Sequence, residues 1–536
     1  MARHRNRPQP RRISWRHSHP SRRRRQRRPT IEQKPTALSK RRDRHTTCAD
    51  HQRRRSSGCT RCHRRPTRPT SPVLPTHPRH PTHHRTTAPQ RSVLPRTTNP
   101  VRQHPSRHPA RTTESRTEQH MDRINTSAAP PTSPDWERLR ADFPLLQRHV
   151  HGKPLIYFDN ANTAQKPQAV ITATDTFYRR HNANISRAVH TLGTEATEAY
   201  EATRAALATL LNVPMHELVL CSGTTFAINL IAYSWALPRL RTGDVILVSR
   251  MEHHANIVPW QLIAERTGAR IQVADILPNG TLDLDALHTL MTPQVKLLAI
   301  THVSNVLGTV NPIHDICRQA RQRGITTVVD GSQAAPHRHI NIPAIGCDFY
   351  AITGHKLYGP TGTGALWARR EHLHIMPPFL GGGEMIKEVS FDGTLFNTPP
   401  HKFEAGTPNI AGFIGLSAAV DYVRRIGIDQ IETRETELLA HLTEELQKID
   451  GMRLFGTAPN KAAVVSFMIE GTHAHDLATL LDLEGVAVRS GQHCAHPLLQ
   501  YYGVTATCRA SLAFYNTHEE IERFITALLK VRKLLG

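Results

Sequence analysis

Four short runs carry apolar residues on both of their faces: Asp244-Val-Ile-Leu-Val-Ser249, Lys296-Leu-Leu-Ala-Ile-Thr-His302, Thr326-Thr-Val-Val-Asp330 and Phe349-Tyr-Ala-Ile352. A strand with one wet face alternates apolar and polar residues, so a run without alternation must be covered on both sides. Helical patterns lie between several of these runs, as at 312–323 ahead of the run at 326–330. The alternation predicts an α/β domain, doubly wound around a mainly parallel sheet, over roughly residues 151–414. In such sheets function gathers at the C-terminal ends of the strands. A smaller α/β domain is expected over 415–536, with candidate strands at 463–469, 486–489 and 508–514. Its last helix opens on the capping-box pattern Thr517-His-Glu-Glu520. Residues 121–150 are expected to pack with this smaller domain.

Residues 1–120 are a different kind of sequence. They hold 32 Lys and Arg against 5 Asp and Glu, whereas the rest of the chain is near neutral at 37 against 39. The basic balance of the whole chain therefore belongs to this Arg-, Pro-, His- and Thr-rich extension. It shows no sustained apolar period, cannot bury enough surface to offset the entropy of ordering, and is expected to be disordered. No apolar stretch follows its charges, as a signal peptide would require, and its proline density opposes the amphipathic helix of a transit peptide. Its Arg clusters could neutralise phosphates, which limits any nucleic-acid partner to nonspecific, salt-sensitive binding, since no base-reading element is present. The charge surplus ends near Met121, so the extension is expected to be dispensable for catalysis, with Met121 a candidate natural start.

Cys59-Thr60-Arg61-Cys62-His63 has the form of a haem c attachment motif, but without a fold around it or an export signal it reads as coincidence. Cys221, Cys317, Cys347, Cys494 and Cys508 lack the paired spacing of a zinc site, and their odd number fits poorly with a disulfide framework. No metal site is expected. No run approaches the length of a membrane span, and a reducing, cytoplasmic compartment fits best.

Three stretches carry chemistry. Thr353-Gly-His-Lys-Leu-Tyr-Gly-Pro360 follows a buried run, which puts Lys356 at the mouth of the sheet, where an amine could join an aldehyde cofactor. Asp330 ends another run, where a carboxylate can pair with a protonated pyridine nitrogen. Gly223-Thr224-Thr225 follows the run at 218–221 and precedes a helical pattern at 227–236, an arrangement suited to phosphate. Each has an ordinary reading beside it: a solvated lysine, an N-capping aspartate, a generic turn. Residue type alone leaves these alternatives open.

Together these stretches resemble the class V, fold-type I enzymes that use pyridoxal 5′-phosphate (PLP), and more narrowly the group II cysteine desulfurases of the SufS family. The resemblance spans nearly all of residues 135–536. It runs through Ala141-Asp-Phe-Pro144, Asn182-Ala-Asn184, Thr191-Leu192, Met251-Glu-His-His-Ala-Asn-Ile-Val-Pro-Trp260 and His302-Val-Ser-Asn-Val-Leu-Gly308. It continues through Gly381-Gly-Gly-Glu-Met-Ile386, Phe403-Glu-Ala-Gly-Thr-Pro-Asn409, Arg489-Ser-Gly-Gln-His-Cys-Ala495 and Cys508-Arg-Ala-Ser511.

The resemblance implies roles by position. Lys356 would carry PLP as a Schiff base and move protons at the substrate carbon, with His253 stacked on the ring to assist. Asp330 would hold the pyridine nitrogen and Gln333 the phenolic oxygen. Thr224, Thr225, Thr353 and His355 would bind phosphate, with Thr407 reaching over from a dimer partner. Asn305 and Arg509 would hold the substrate carboxylate, with Arg489 nearby. Cys494, in a polar loop flanked by His493 and the turn at Gly491, would attack the sulfur of L-cysteine and become a persulfide, leaving L-alanine. The loop setting, with His493 beside it, is expected to favour thiolate and permit movement.

Some positions depart from the family pattern. Phe226-Ala227 stands in place of the usual Glu-Gly, Ile185-Ser-Arg-Ala188 in place of the common Val-His-Arg-Gly, Asn162 in place of a usual alanine, and Gln492 in place of a frequent histidine, although glutamine also occurs there in the family. They bear on dimer-edge contacts and partner coupling rather than on reaction type. The implied partners are a second copy of the chain, a SufE- or SufU-type sulfur acceptor, and a SufBCD-type scaffold that assembles iron–sulfur clusters. Selenocysteine lyase is the nearest rival, because the same scaffold can release selenium from L-selenocysteine without the cysteine.

Overall fold

A computed structural model describes residues 134–536. The expected extension at 1–120 and the first residues of the 121–150 segment lie outside the described residues.

Seven strands form the main sheet, in the spatial order Leu218–Cys221, Gly364–Ala368, Phe349–Thr353, Thr326–Asp330, Val295–Thr301, Val245–Ser249, Arg270–Ala274. All run parallel except Gly364–Ala368, which is antiparallel to both of its neighbours. The unalternating runs are explained by two cores. Leu218, Leu220, Val245, Leu247, Leu298, Ile300 and Val329 face one core, while the intervening Val219, Cys221, Ile246, Val248, Leu297, Ala299 and Val328 face the other. The helix Ile313–Gln322 shows the matching device on a covering layer. It buries Ile313, Ile316, Cys317 and Ala320, one stripe at helical spacing, and leaves its charged residues to solvent.

The smaller sheet has four antiparallel strands, Met452–Phe455, Val464–Ile469, Thr507–Ser511 and Arg489–Gly491. Its core takes Leu438, Leu442 and Leu446 from one helix and Ile521, Phe524 and Leu528 from the last. That last helix, His518–Leu535, carries the expected capping box: Thr517 Oγ1 accepts from Glu520 N at 3.1 Å, and Glu520 Oε2 accepts from Thr517 N at 3.2 Å. Among the described residues no helix is long and apolar enough to cross a membrane.

Three boundaries differ from the sequence reading. The run expected as one strand at 486–489 is two: Val486–Ala487 pairs in parallel with Ile156–Tyr157, and Arg489–Gly491 turns to pair with Thr507–Arg509. Residues near 156 therefore extend the smaller unit, although they fall in the expected larger domain; Ile156 and Phe158 are buried in its core. The expected boundary at 414/415 falls inside the helix Ile410–Ile426, which packs on the helices Gln168–Thr176 and Thr191–Leu211. The chain changes layer at Gly427, whose φ of 93° lets a second helix begin at once. The segment before residue 150 is fixed at both ends of this divide. Arg140 pairs with Glu520 at 2.7 Å, while Phe143 packs edge-on against Tyr358 and Tyr422.

Candidate active site

Five strands of the main sheet end at one cavity of about 420 Å³. Thr326–Asp330 delivers Asp330, buried, with Oδ1 accepting from Ser332 N at 2.9 Å. Phe349–Thr353 delivers Thr353 and then the turn bearing His355 and Lys356. That turn packs against the helix Ile410–Ile426, where a Cβ on Gly359 would lie 2.6 Å from Leu416 Cδ1 and 3.1 Å from Gly354 O, so a larger residue would force Leu416 to move. Leu218–Cys221 ends at Gly223, whose φ of 136° turns the chain directly into the helix Thr224–Ile231, three residues earlier than the sequence pattern suggested. Thr224 Oγ1 meets Ser332 Oγ at 2.7 Å, and Thr225 is exposed at the cavity wall. Val295–Thr301 leads to Asn305, and Val245–Ser249 to His253. The smaller sheet closes the far side with Arg489, His493, Cys494 and Arg509.

Burial sets the protonation states. It pulls the Lys356 amine down to about 8; the Asp330 carboxylate opposes this, and Arg509 reinforces it. A substantial neutral fraction is thus available near neutral pH, the form an amine needs to attack an aldehyde. His253 falls to about 4 through burial first and the Lys356 charge second, so its ring is neutral. Its Nδ1 accepts from Ala255 N at 3.0 Å, which leaves the ring proton on Nε2. His355 also falls to about 4, through burial, then Lys356 and Lys166.

Arg509 is buried and held at three points. Nη1 donates to Asn305 O at 2.8 Å, Nη2 reaches Asp159 Oδ1 at 3.2 Å, and strand pairing sets Arg489 opposite it. Asp159 Oδ2 lies 3.4 Å from Arg489 Nη1, so one carboxylate orients both guanidiniums. Burial nonetheless lowers Arg509 to about 10. The Asn305 amide is turned to the cysteine loop, with Nδ2 donating to His493 O at 2.7 Å.

Cys494 is the only exposed cysteine among the described residues; Cys221, Cys317, Cys347 and Cys508 are buried. Burial lifts Cys221 and Cys508 to about 12, which keeps both as thiols. The expectation that His493 favours a thiolate at Cys494 is corrected. The His493 ring is buried, with Nε2 2.9 Å from Thr507 Oγ1, and burial, then Arg509, takes it down to about 3. A neutral, inward-turned imidazole supplies no positive charge to the thiol.

Thr407 is exposed and does not line this cavity. Its segment borders a second cavity of about 450 Å³, which meets the first at Ser222, Phe226 and Gly362. Glu404 anchors that segment: its carboxylate takes Arg204 Nη1 at 2.7 Å and Nη2 at 2.9 Å, together with Leu220 N at 2.7 Å. Burial would raise its pKa, but Arg204 and these donors outweigh it and hold it at about 2. Sequence reading missed Asp159, Glu252 and His254. Asp159 follows a two-residue strand, too short to give a period. Glu252 and His254 lie inside a quoted motif, but nothing in residue type says which way they point.

The cavity suits a phosphorylated aromatic aldehyde. A helix N-terminus with Thr224, Thr225, Thr353 and His355 makes one anionic subsite, and Lys356 and Asp330 face the middle. Three buried polar atoms on lining residues have no partner among the described residues: Gln333 Oε1, His493 Nδ1 and Arg509 Nε. Such atoms are stabilised when a polar ligand fills the space.

Comparison with known proteins agrees. Residues 156–524 match the model of the class-V aminotransferase family. A probable cysteine desulfurase of Xylella fastidiosa is 98% identical over 416 residues, which cover 78% of this chain and all of that protein. A cysteine desulfurase of Salmonella typhimurium is 49% identical over 402 residues, 75% of this chain and 99% of the relative. Among solved structures, the cysteine desulfurase CsdA of Escherichia coli, in an S-sulfonic acid form, superposes with a TM-score of 0.70 at 41% identity, covering 75% of this chain and 100% of its own. The apo cysteine desulfurase of Thermococcus onnurineus gives 0.71 at 37% identity, over 74% and 98%.

Proposed function

The chain belongs to the class-V aminotransferase family and is a cysteine desulfurase, and from that premise we propose how its own residues divide the work. Its cofactor is PLP and its substrate L-cysteine. When bound, PLP draws electrons from the amino acid's α carbon and so weakens the bond from the β carbon to sulfur. Lys356 would hold the cofactor's aldehyde carbon through Nζ and carry protons at the α carbon. His253, neutral with its proton on Nε2, would lie against the ring and assist that transfer. Asp330 would pair with the pyridine nitrogen, Gln333 with the phenolic oxygen, and Thr224, Thr225, Thr353 and His355 with the phosphate. Arg509 and Asn305, with Arg489 beside them, would take the substrate carboxylate, a planar fork against a planar anion.

Cys494 Sγ would attack the substrate sulfur. A sulfur–sulfur bond forms as the carbon–sulfur bond breaks, and the released electron pair and a proton end on the β carbon of L-alanine. The observation that carries this reading is the placement of a half-buried lysine and the one exposed cysteine of the described residues on the same cavity. It is tested by borohydride reduction of the holoenzyme followed by peptide mapping. The cofactor should be fixed to Lys356, and its recovery on another lysine would overturn the assignment.

The long matches to group II patterns support a SufS-type enzyme that works as a homodimer, with Thr407 of each copy completing the phosphate subsite of the other. The persulfide would pass to a SufE- or SufU-type acceptor and on to a SufBCD-type scaffold for iron–sulfur clusters. An exposed, unpaired nucleophilic thiol suits the reducing cytoplasm.

A further inference from the structure

His493 and Cys494 both take left-handed backbone, with φ of 52° and 56°. Residues with a Cβ keep that conformation only where neighbours hold them. Four bonds do so here. Ala495 N donates to Gln492 O at 2.9 Å within the loop, and Asn305 Nδ2 donates to His493 O at 2.7 Å. His254 supplies the other two: its backbone N donates to Cys494 O at 2.7 Å, and its ring Nε2 accepts from His496 N at 3.1 Å. One residue thus grips the loop twice, by its backbone at the cysteine itself and by its ring two residues beyond it.

His254 is in turn rigidly placed. It opens the short turn His254–Asn256, and Asn256 Nδ2 donates to the buried Glu252 at 2.7 Å. The preceding residue, His253, faces the cavity. A single dipeptide therefore carries one ring to the cofactor side of the site and another to the cysteine loop. Partial burial, and then the neighbouring His496, lower the His254 pKa, which keeps Nε2 free to accept.

We propose that His254 is the positioning residue of the nucleophile: its ring Nε2 and backbone N–H fix the turn that presents Cys494 to the cavity. The proposal rests on the reading of Cys494 as sulfur acceptor, and its test separates the two. Full-length holoenzyme carrying His254→Ala or His254→Gln is compared with the wild type by amide hydrogen exchange of the peptide covering residues 492–499. Single-turnover sulfur transfer and the absorbance change on adding L-cysteine are followed in parallel.

In His254→Ala the His496 amide loses its acceptor. Its exchange should quicken and sulfur transfer slow by about fivefold each, the factor that one ordinary hydrogen bond contributes. Cofactor content and the absorbance change should stay as in the wild type. The glutamine amide oxygen reaches the place of Nε2, so His254→Gln should restore both rates. Should His254→Ala lose cofactor, His254→Asn, one carbon too short to reach His496, takes its place against the glutamine variant. Wild-type exchange and transfer in the truncated variants, or a glutamine variant as defective as alanine, would overturn the clamp. Sulfur arriving on another cysteine would overturn the nucleophile reading itself, whatever the exchange rates.

Discussion

Glu252 offers a pH test of the site's foundation. Its carboxyl is fully buried below His253; it accepts from Ser249 Oγ, from Thr301 N at 3.0 Å and from Asn256 Nδ2 at 2.7 Å. Burial, with the Asp330 charge adding to it, outweighs these donors and raises its pKa from 4.5 to about 8. Between those values the folded chain holds a proton that the unfolded chain has released. The stability this contributes is complete below pH 4.5 and is lost as pH rises toward 8. At about 1.4 kcal/mol per pH unit the full decline is roughly 5 kcal/mol. Glu252→Gln stays neutral at every pH and should lack the decline. Urea unfolding of both holoenzymes at pH 5, 7 and 9, at equal cofactor concentration, isolates it, because the other titrating groups cancel in the difference. The variant should gain on the wild type by roughly 4 kcal/mol from pH 5 to 9. A pH-independent difference would refute the reasoning and mean that the three donors keep Glu252 ionised throughout.

Asp159→Asn removes the anion between Arg489 and Arg509. KM for L-cysteine should rise about tenfold, the scale of one charge-assisted hydrogen bond, with a smaller fall in kcat. An unchanged KM would mean that the strand pairing alone orients the arginines. Cys494→Ala should lose most activity on L-cysteine; if it keeps full activity on L-selenocysteine as well as on L-cysteine, the selenocysteine lyase reading gains. A chain of residues 121–536, the length matched by the Xylella relative, should equal the full chain in PLP content, melting temperature and alanine formation. Loss of any of these would assign the extension a structural role.

The main sheet was legible because burial on both faces leaves an unalternating signature, and four of its strands lay in such runs. Arg270–Ala274 was not, since it is an edge strand whose Arg270 and Val273 are exposed. Nor was the hairpin of Ile386–Ser390 and Gly393–Phe396, whose residues are almost all exposed and follow no core period. Site residues at strand ends, Asp330, Thr353 and Lys356, could be placed from the strands that precede them. The cysteine loop could not. Its geometry depends on His254 and Asn305, distant in sequence, and the inward turn of His493 comes from Thr507 on a neighbouring strand. Residue type suggested a thiolate-forming histidine where packing makes a neutral one.

In the proposed reaction, sulfur leaves L-cysteine for Cys494. One turnover with sulfur-labelled L-cysteine, followed by alkylation and peptide mass mapping, tests it most directly. One labelled sulfur is expected on the peptide bearing Cys494 for each L-alanine released, and none on Cys221, Cys317, Cys347 or Cys508. Label on any of those four, or alanine released with no protein-bound sulfur, would contradict it.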